Sequence, residues 1–238
     1  MYELVGSVLV LGTISDFERY LRDTNTTRHT FNMPVIIRNG VKDTSGLFID
    51  CVNFDYPVVI PDSVKDTSYM FANCKSFNSV VTMGSNVLTS RYMFYNCETY
   101  NQQTHLSQHC IDCSYMFSGC SRFDKPVCIP KSVQICSGMF NNCRVLNSKV
   151  LLFEGVTECD RMFKGCKSFN QSVIIPKTAR DCDEMFYDCV KYNQETIIPV
   201  GVTSCIQMFY KCRELQHTVT VPPTAYKHMD RLLAGTDV

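Results

Sequence analysis

The chain lacks an excess of charge of either sign: its 238 residues carry 23 Lys plus Arg against 23 Asp plus Glu. No broad positive field gathers nucleic acid or an anionic membrane surface, so neither is expected as a partner. Long apolar runs are missing too. The stretch Leu4 to Leu11 is short, follows Glu3 and has no basic segment ahead of it, so it reads neither as a signal peptide nor as a transmembrane helix. No glycine-rich phosphate loop follows a strand and opens a helix, which argues against a nucleotide cofactor. With 45% apolar residues and few charge runs, the chain is nevertheless expected to fold around a substantial core.

Cysteine and periodicity are abundant. Eight of the fifteen cysteines, Cys51, Cys74, Cys97, Cys120, Cys143, Cys166, Cys189 and Cys212, recur every 23 residues without a gap. An odd count placed this regularly points to small buried core thiols, with some disulfides as the lesser alternative. A Met-Phe pair keeps the same period at Met70-Phe71, Met93-Phe94, Met116-Phe117, Met139-Phe140, Met162-Phe163, Met185-Phe186 and Met208-Phe209, after Leu47-Phe48. Such self-similarity is the signature of a solenoid, in which each period is one coil and stability comes from its neighbours.

Each position of the period has its own character. Phe54, Phe77, Tyr100, Phe123, Leu146, Phe169, Tyr192 and Leu215 form a large apolar column. Beside it run Asn32, Asp55, Asn78, Asn101, Asp124, Asn147, Asn170, Asn193 and Gln216, read as an enclosed polar ladder in which Asp55 and Asp124 need donors or water. Val35, Val58, Val81, Thr104, Val127, Val150, Val173, Thr196 and Val219 alternate with Ile37, Ile60, Met83, Leu106, Ile129, Leu152, Ile175, Ile198 and Val221. This period of two marks a short strand with both columns inward, and nine such strands at roughly 4.8 Å would make a parallel sheet about 43 Å long. Proline at 61, 130, 176, 199 and 222 ends the strand.

A small apolar column (Val64, Val87, Cys110, Val133 and onward to Ala225) and a further inward column (Thr67, Ser90, Cys113, Cys136, Cys159, Cys182, Cys205, His228) lead into the Met-Phe pair. That segment is expected to be a helical turn or bent arc on the convex side. Asp50, Asn73, Asn96, Gly119, Asn142, Gly165, Asp188 and Lys211 precede the cysteines as turn residues suited to positive φ.

Residues 1–30 escape the period and read as an N-terminal cap. Ser15 with Glu18 suggests a capping box at the start of a short helix, and a docking or oligomerisation element is the alternative. The solenoid then covers 31–233, closed by a thin cap over Ala225 to Leu233, and 234–238 is a tail. The fold class expected is a parallel β-solenoid of leucine-rich-repeat type, with about nine coils of 23 residues and convex arcs.

These columns resemble the BspA-like, or Treponema pallidum type, leucine-rich repeats, in the variant with a Met-Phe, x-x-Cys, x-x-Phe-Asn repeat and a following Val-x-Ile-Pro strand. The pattern stands as Met162-Phe163, Cys166, Phe169-Asn170, Val173, Ile175 and Pro176, and the likeness covers about 200 of the 238 residues. The resemblance implies adhesive or protein-binding use, in bacterial or protist surface proteins or in phage. The chain departs from the surface forms in showing no secretion signal, lipobox or wall anchor. The expected location is therefore cytoplasmic or virion, with the cell surface less favoured.

Two surfaces are candidates for a protein partner. Between the inward strand columns lies an outward one, in which Cys128, Leu151, Ile174 and Ile197 form a contiguous apolar stripe. The second is aromatic: Tyr92 and Tyr115 precede Met with Tyr69, while Tyr95, Tyr187 and Tyr210 follow the Phe. His105, His109, Cys110 and Cys113 have residue types that suit zinc, but the core columns already claim both cysteines, so no metal is expected. No nucleophile–base–orienter set emerges and no cofactor is implied. The chain reads as a non-enzymatic protein-binding module, with self-association as one mode of binding, acting as an intracellular binder or inhibitor, with a phage virion or receptor-recognising surface component as the alternative.

Overall fold

The computed structural model describes residues 1–223 and Leu232. It is a stack of short coils wound around an aromatic and sulfur-rich core. In chain order come β1 (Glu3–Val5), β2 (Val8–Leu11), α1 (Ile14–Asp23), a 3-10 turn (Arg28–Thr30), β3 (Val35–Ile37), β4 (Val58–Val59), β5 (Val81–Thr82), β6 (Val127–Cys128), β7 (Val150–Leu151), β8 (Thr196–Ile197) and β9 (Val219–Thr220).

The N-terminal apolar run is two strands. β1 and β2 pair antiparallel about Gly6 at φ 60°, and β2 then pairs parallel with β3, so the N-terminal strands extend the sheet of the first coil. The helix cap is corrected. Thr13, and not Ser15, is the N-cap, its side chain accepting from the Asp16 amide, and the expected Ser15–Glu18 box does not form. Glu18 instead pairs with Arg28, whose Nη1 donates to the carbonyls of Leu47 and Ile49 at 3.0 Å each. In later coils the equivalent carbonyls, Met70 and Ala72, accept from the amides of Phe48 and Asp50 in the coil before. Arg28 thus stands in for a missing preceding coil.

The arc is not helical. Between the Val column and the cysteines the chain runs through consecutive turns, and two residues per period sit at positive φ. One set is the expected turn column, including Asn73 (63°), Asn96 (56°) and Asn142 (61°). The other, four residues ahead of that turn residue, is the residue before Met, with Tyr69 (57°), Tyr92 (54°), Tyr115 (55°), Arg161 (54°) and Glu184 (55°). A parallel bridge runs unbroken from Asp43↔Asp66 to Asp181↔Ser204, supported by bonds such as Phe71 N–H to Met93 O at 2.9 Å.

The strand face behaves differently. Instead of one nine-stranded sheet, the structure has a three-stranded piece and three two-stranded pieces. Among the described residues no backbone hydrogen bond joins 104–106 or 173–175 to a neighbouring strand. Ring spacing shows why. Across one pair of coils it is 4.8 Å at Tyr92–Tyr115, 5.5 Å at Phe94–Phe117 and 6.2 Å at Tyr100–Phe123. Coils are closest at the arc and fan apart beyond it, so the expected convex arc is corrected to the concave side. The strand face lies on the splayed side, where ladder spacing near 4.8 Å cannot be kept throughout.

The polar column is also corrected. The Asn and Asp side chains are mostly exposed rather than enclosed, and each Oδ1 accepts the backbone N–H one period on: Asp55 from Asn78 at 2.8 Å, Asn78 from Asn101 at 2.8 Å, Asp124 from Asn147 at 2.9 Å. The ladder needs only an acceptor, so Asp55 and Asp124 fit without extra donors. Core cysteines have a matching logic. The thiols of Cys74, Cys97, Cys120, Cys143, Cys166, Cys189 and Cys212 donate to the Phe carbonyl of the preceding coil at 2.9–3.1 Å. The Phe column accepts tyrosine twice, and each time the strand residue is Thr: Tyr100–Thr104 at 2.6 Å and Tyr192–Thr196 at 2.7 Å. Each buried hydroxyl thereby finds its partner in the same coil. Leu232 is buried and its carbonyl accepts the Phe209 amide at 3.1 Å. The positions expected at Ala225 and His228, the rest of the thin C-terminal cap and the tail 234–238 lie outside the described residues.

Candidate protein-binding surface

The strand alternation places every member of the outward column on one side. Each strand from β4 to β8 buries its first residue and exposes its second, so Cys128, Leu151 and Ile197 stand in register on that face, as does Ile174 from the coil without a ladder. In this column exposure is highest at Ile174, 83%, followed by Val59 at 65% and Ile197 at 62%. Beside them a groove of about 960 Å³ is bounded by Ile174, Ile197, Val200, Pro222 and Pro223, with Lys177 and Glu195 on its rim. It opens where the ladder between 173–175 and β8 is absent. The other coil without a ladder has a depression of about 640 Å³, lined by Thr82, Gln103, His105 and His109 among others.

Val200, 72% exposed, was missed in the sequence reading. A signal existed. Its column reads Asn39, Asp62, Ser85, Gln108, Lys131, Glu154 and Lys177 before it, polar in every earlier period. Apolar residues at both Ile197 and Val200 widen the stripe into a patch.

The tyrosines are brought together in two groups, neither on the strand face. Tyr69, Tyr92 and Tyr115 stack at 4.7 and 4.8 Å with planes 6° and 3° apart, and Tyr95 meets Tyr92 edge-on at 5.6 Å. Burial first, then the neighbouring tyrosines, raise the Tyr92 pKa. Further along, Tyr187 and Tyr210 stack at 4.9 Å, with Lys164 over Tyr187 at 4.4 Å and Lys211 over Tyr210 at 5.2 Å. Lys164 also pairs with Glu184. The stacked rings largely cover one another's faces, leaving their edges to solvent.

Burial pushes the Cys51 thiol up to about 12 and that of Cys205 up to about 11, which keeps both protonated at neutral pH. His105 points outward while Cys110 and Cys113 are buried, and His109 Nδ1 lies 3.0 Å from the Ser85 carbonyl. Among the described residues no three His, Cys, Asp or Glu side chains are grouped to hold a metal, and no helix is long and apolar enough to cross a membrane.

Mostly-β coils with parallel bridges every 23 residues and a continuous aromatic core define a repeat scaffold of leucine-rich-repeat type. The chain belongs to the family described as Mycoplasma protein of unknown function, DUF285, whose model matches residues 37–129 and 111–221. In fold it is similar to the T. pallidum leucine-rich-repeat protein TpLRR, at 18% identity over 98% of this chain and 92% of that one, with a TM-score of 0.56. A leucine-rich-repeat protein from Bacteroides ovatus ATCC 8483 aligns at 15% identity over 94% of this chain but 52% of its own length, with a TM-score of 0.52. A leucine rich cell surface protein from Faecalibacterium prausnitzii A2-165 aligns at 19% identity over 86% and 68% of the two chains, with a TM-score of 0.44. No curated protein matches the sequence.

The cytoplasmic or virion location expected from the sequence does not stand: it rested only on a missing export signal, and the fold shared with the bacterial leucine-rich-repeat protein TpLRR gives it no support.

Proposed function

We propose that this chain is a protein-binding module that engages its partner through the outward strand face, with Ile174 and Ile197 at the centre, Leu151 beside them and Cys128 at the margin. The observation that carries the reading is the patch of Ile174, Ile197 and Val200 over an open groove, three of the five most exposed large apolar side chains among the described residues. Apolar side chains this accessible gain free energy when a complementary surface covers them, at roughly 25 cal/mol per Å² removed from water. The Met-Phe, Cys and Phe-Asn columns support placing the repeat in the BspA-like variant of leucine-rich repeats. On this reading residues 1–30 are the cap, 31–233 the binding solenoid and 234–238 a tail.

The tyrosine groups, Tyr92, Tyr95 and Tyr115 on one side and Tyr187 and Tyr210 on the other, form the competing surface. The test is capture of partner proteins by the purified chain and by two double variants, Ile174→Lys with Ile197→Lys, and Tyr92→Ala with Tyr115→Ala. A protein held by the native chain and the tyrosine variant but lost from the lysine variant supports the strand face. Loss from the tyrosine variant alone moves the site to the concave side, and a captured second copy of the chain identifies self-association.

A further inference from the structure

Fifteen free thiols sit in this chain, and the core directs almost all of them away from one another. The seven cysteines of the Met-Phe-x-x-Cys column from Cys74 to Cys212 each donate to a Phe carbonyl. In the second column Cys113 and Cys136 turn toward methionine sulfurs, Met139 at 3.7 Å and Met162 at 3.8 Å. Cys159 and Cys182 differ in their sulfur neighbour, although Cys159 also donates to the Asp181 carbonyl at 3.4 Å, as Cys136 does to that of Glu158 at 3.5 Å. Their Sγ atoms face each other at 3.5 Å, the one thiol pair in hydrogen-bond contact among the described residues.

We infer that Cys159 and Cys182 are a redox-responsive pair that closes to a disulfide between adjacent coils. The backbone permits it: Glu158 and Asp181, immediately before the two cysteines, form a parallel bridge, and the Cys159 amide donates to the Asp181 carbonyl at 3.1 Å. Strands so paired lie about 4.8 Å apart, inside the roughly 4.4–6.8 Å Cα range of disulfides. The sulfurs have to approach by rotation about χ1, without moving a coil out of register.

The oxidant is a small-molecule disulfide. One cysteine thiolate attacks a sulfur of the oxidant and expels one small thiol; the second thiolate attacks the resulting mixed disulfide, forms the Cys159–Cys182 bond and expels the other. The protein loses two electrons and two protons, and the oxidant becomes two thiols. Both cysteines are fully buried, and hydrogen bonding to Cys159 together with burial keeps the Cys182 thiol protonated. Exchange therefore runs through transient opening of the coils, which makes the closed solenoid slow to oxidise and the pair a recorder of sustained oxidising conditions.

The bond has a structural consequence. It joins the coil of Leu151 to the coil of Ile174, between which the strand face has no backbone ladder. Closing it restrains the splay of that seam and holds the coil that carries the most exposed residue of the apolar patch.

The reduced full-length protein is equilibrated in glutathione buffers of increasing oxidised fraction, acid-quenched, alkylated and peptide-mapped. The expected result is a peptide linking Cys159 to Cys182 as the first intramolecular disulfide, at least tenfold more abundant than links at Cys136–Cys159, Cys182–Cys205 or Cys166–Cys189. Cys182→Ala should abolish it without a new link from Cys159 to Cys136. No linked peptide at any ratio, or links spread evenly over adjacent-coil pairs, overturns the proposal. The mapping of the native chain decides the question even if the variant does not fold.

Discussion

Replacing Cys143 tests whether the cysteine column is a row of hydrogen-bond donors or merely a row of small apolar residues. Its thiol lies 3.1 Å from the Phe117 carbonyl, which also accepts the Cys120 amide at 3.0 Å, and the side chain is fully buried. Cys143→Ala removes about a methylene's worth of volume, at about 1 kcal/mol. It also removes a neutral hydrogen bond of about 1 kcal/mol, leaving the carbonyl with one partner. The total of roughly 2 kcal/mol corresponds to a midpoint drop of about 4–8 °C in a chain of this size. Cys143→Ser loses the volume but keeps a donor aimed at the same carbonyl, so its cost is roughly 1 kcal/mol and about 2–4 °C. Differential scanning calorimetry under reducing conditions gives the ranking native, then Ser, then Ala. If the column were only apolar, the buried hydroxyl would make Ser the worst of the three. An Ala variant as stable as the Ser variant, or more so, refutes the donor account.

Three other perturbations follow from the same structure. Arg28→Ala strips the cap from the Leu47 and Ile49 carbonyls and should cost about 2–3 kcal/mol, with hydrogen exchange rising in residues 44–54 first and least near Cys189. Asn147→Asp should be nearly neutral at pH 7, because the ladder uses only its acceptor, whereas Asn147→Ala frees the Asn170 amide and the Gln171 side chain and should cost about 1 kcal/mol by urea denaturation. The Asp181 carboxyl has its pKa raised, chiefly by burial. A carboxyl raised in the folded state contributes stability that is present below its unfolded pKa and lost as pH rises through the folded one, so that loss begins at about pH 4. Asp181→Asn should flatten this fall in unfolding curves between acid and neutral pH, and an unchanged pH profile would show that Asp181 is not its source.

Much of the fold was legible because a 23-residue period repeats each physical demand many times over. A single Val58 says little, but Val58, Val81, Val127 and Val150 in step with Ile60 and Ile129 require a strand with one inward side. Asn73, Asn96 and Asn142 announced their positive φ by residue type. Tyr69, Tyr92 and Tyr115 did not, since left-handed tyrosine is intrinsically disfavoured and only the stacked neighbours and the inter-coil ladder hold it there. Curvature was equally hidden. It depends on how far the arc compresses relative to the strand face, and the column pattern is the same for a straight stack as for a bent one. The broken ladders at 104–106 and 173–175 follow from that bend. In the candidate surface Leu151, Ile174 and Ile197 were visible by alternation, while Val200 needed comparison down its own column. Arg28 escaped because its role lies in replacing a coil that the period omits.

Hydrogen exchange of the captured complex against the free chain tests the central claim most directly, since it reports which face a bound protein covers. Slower exchange confined to segments 172–177 and 194–201, with the concave turns around Tyr92 and Tyr115 unchanged, is the result predicted. Protection of the concave turns with 172–177 and 194–201 left as in the free chain would contradict binding through the outward strand face.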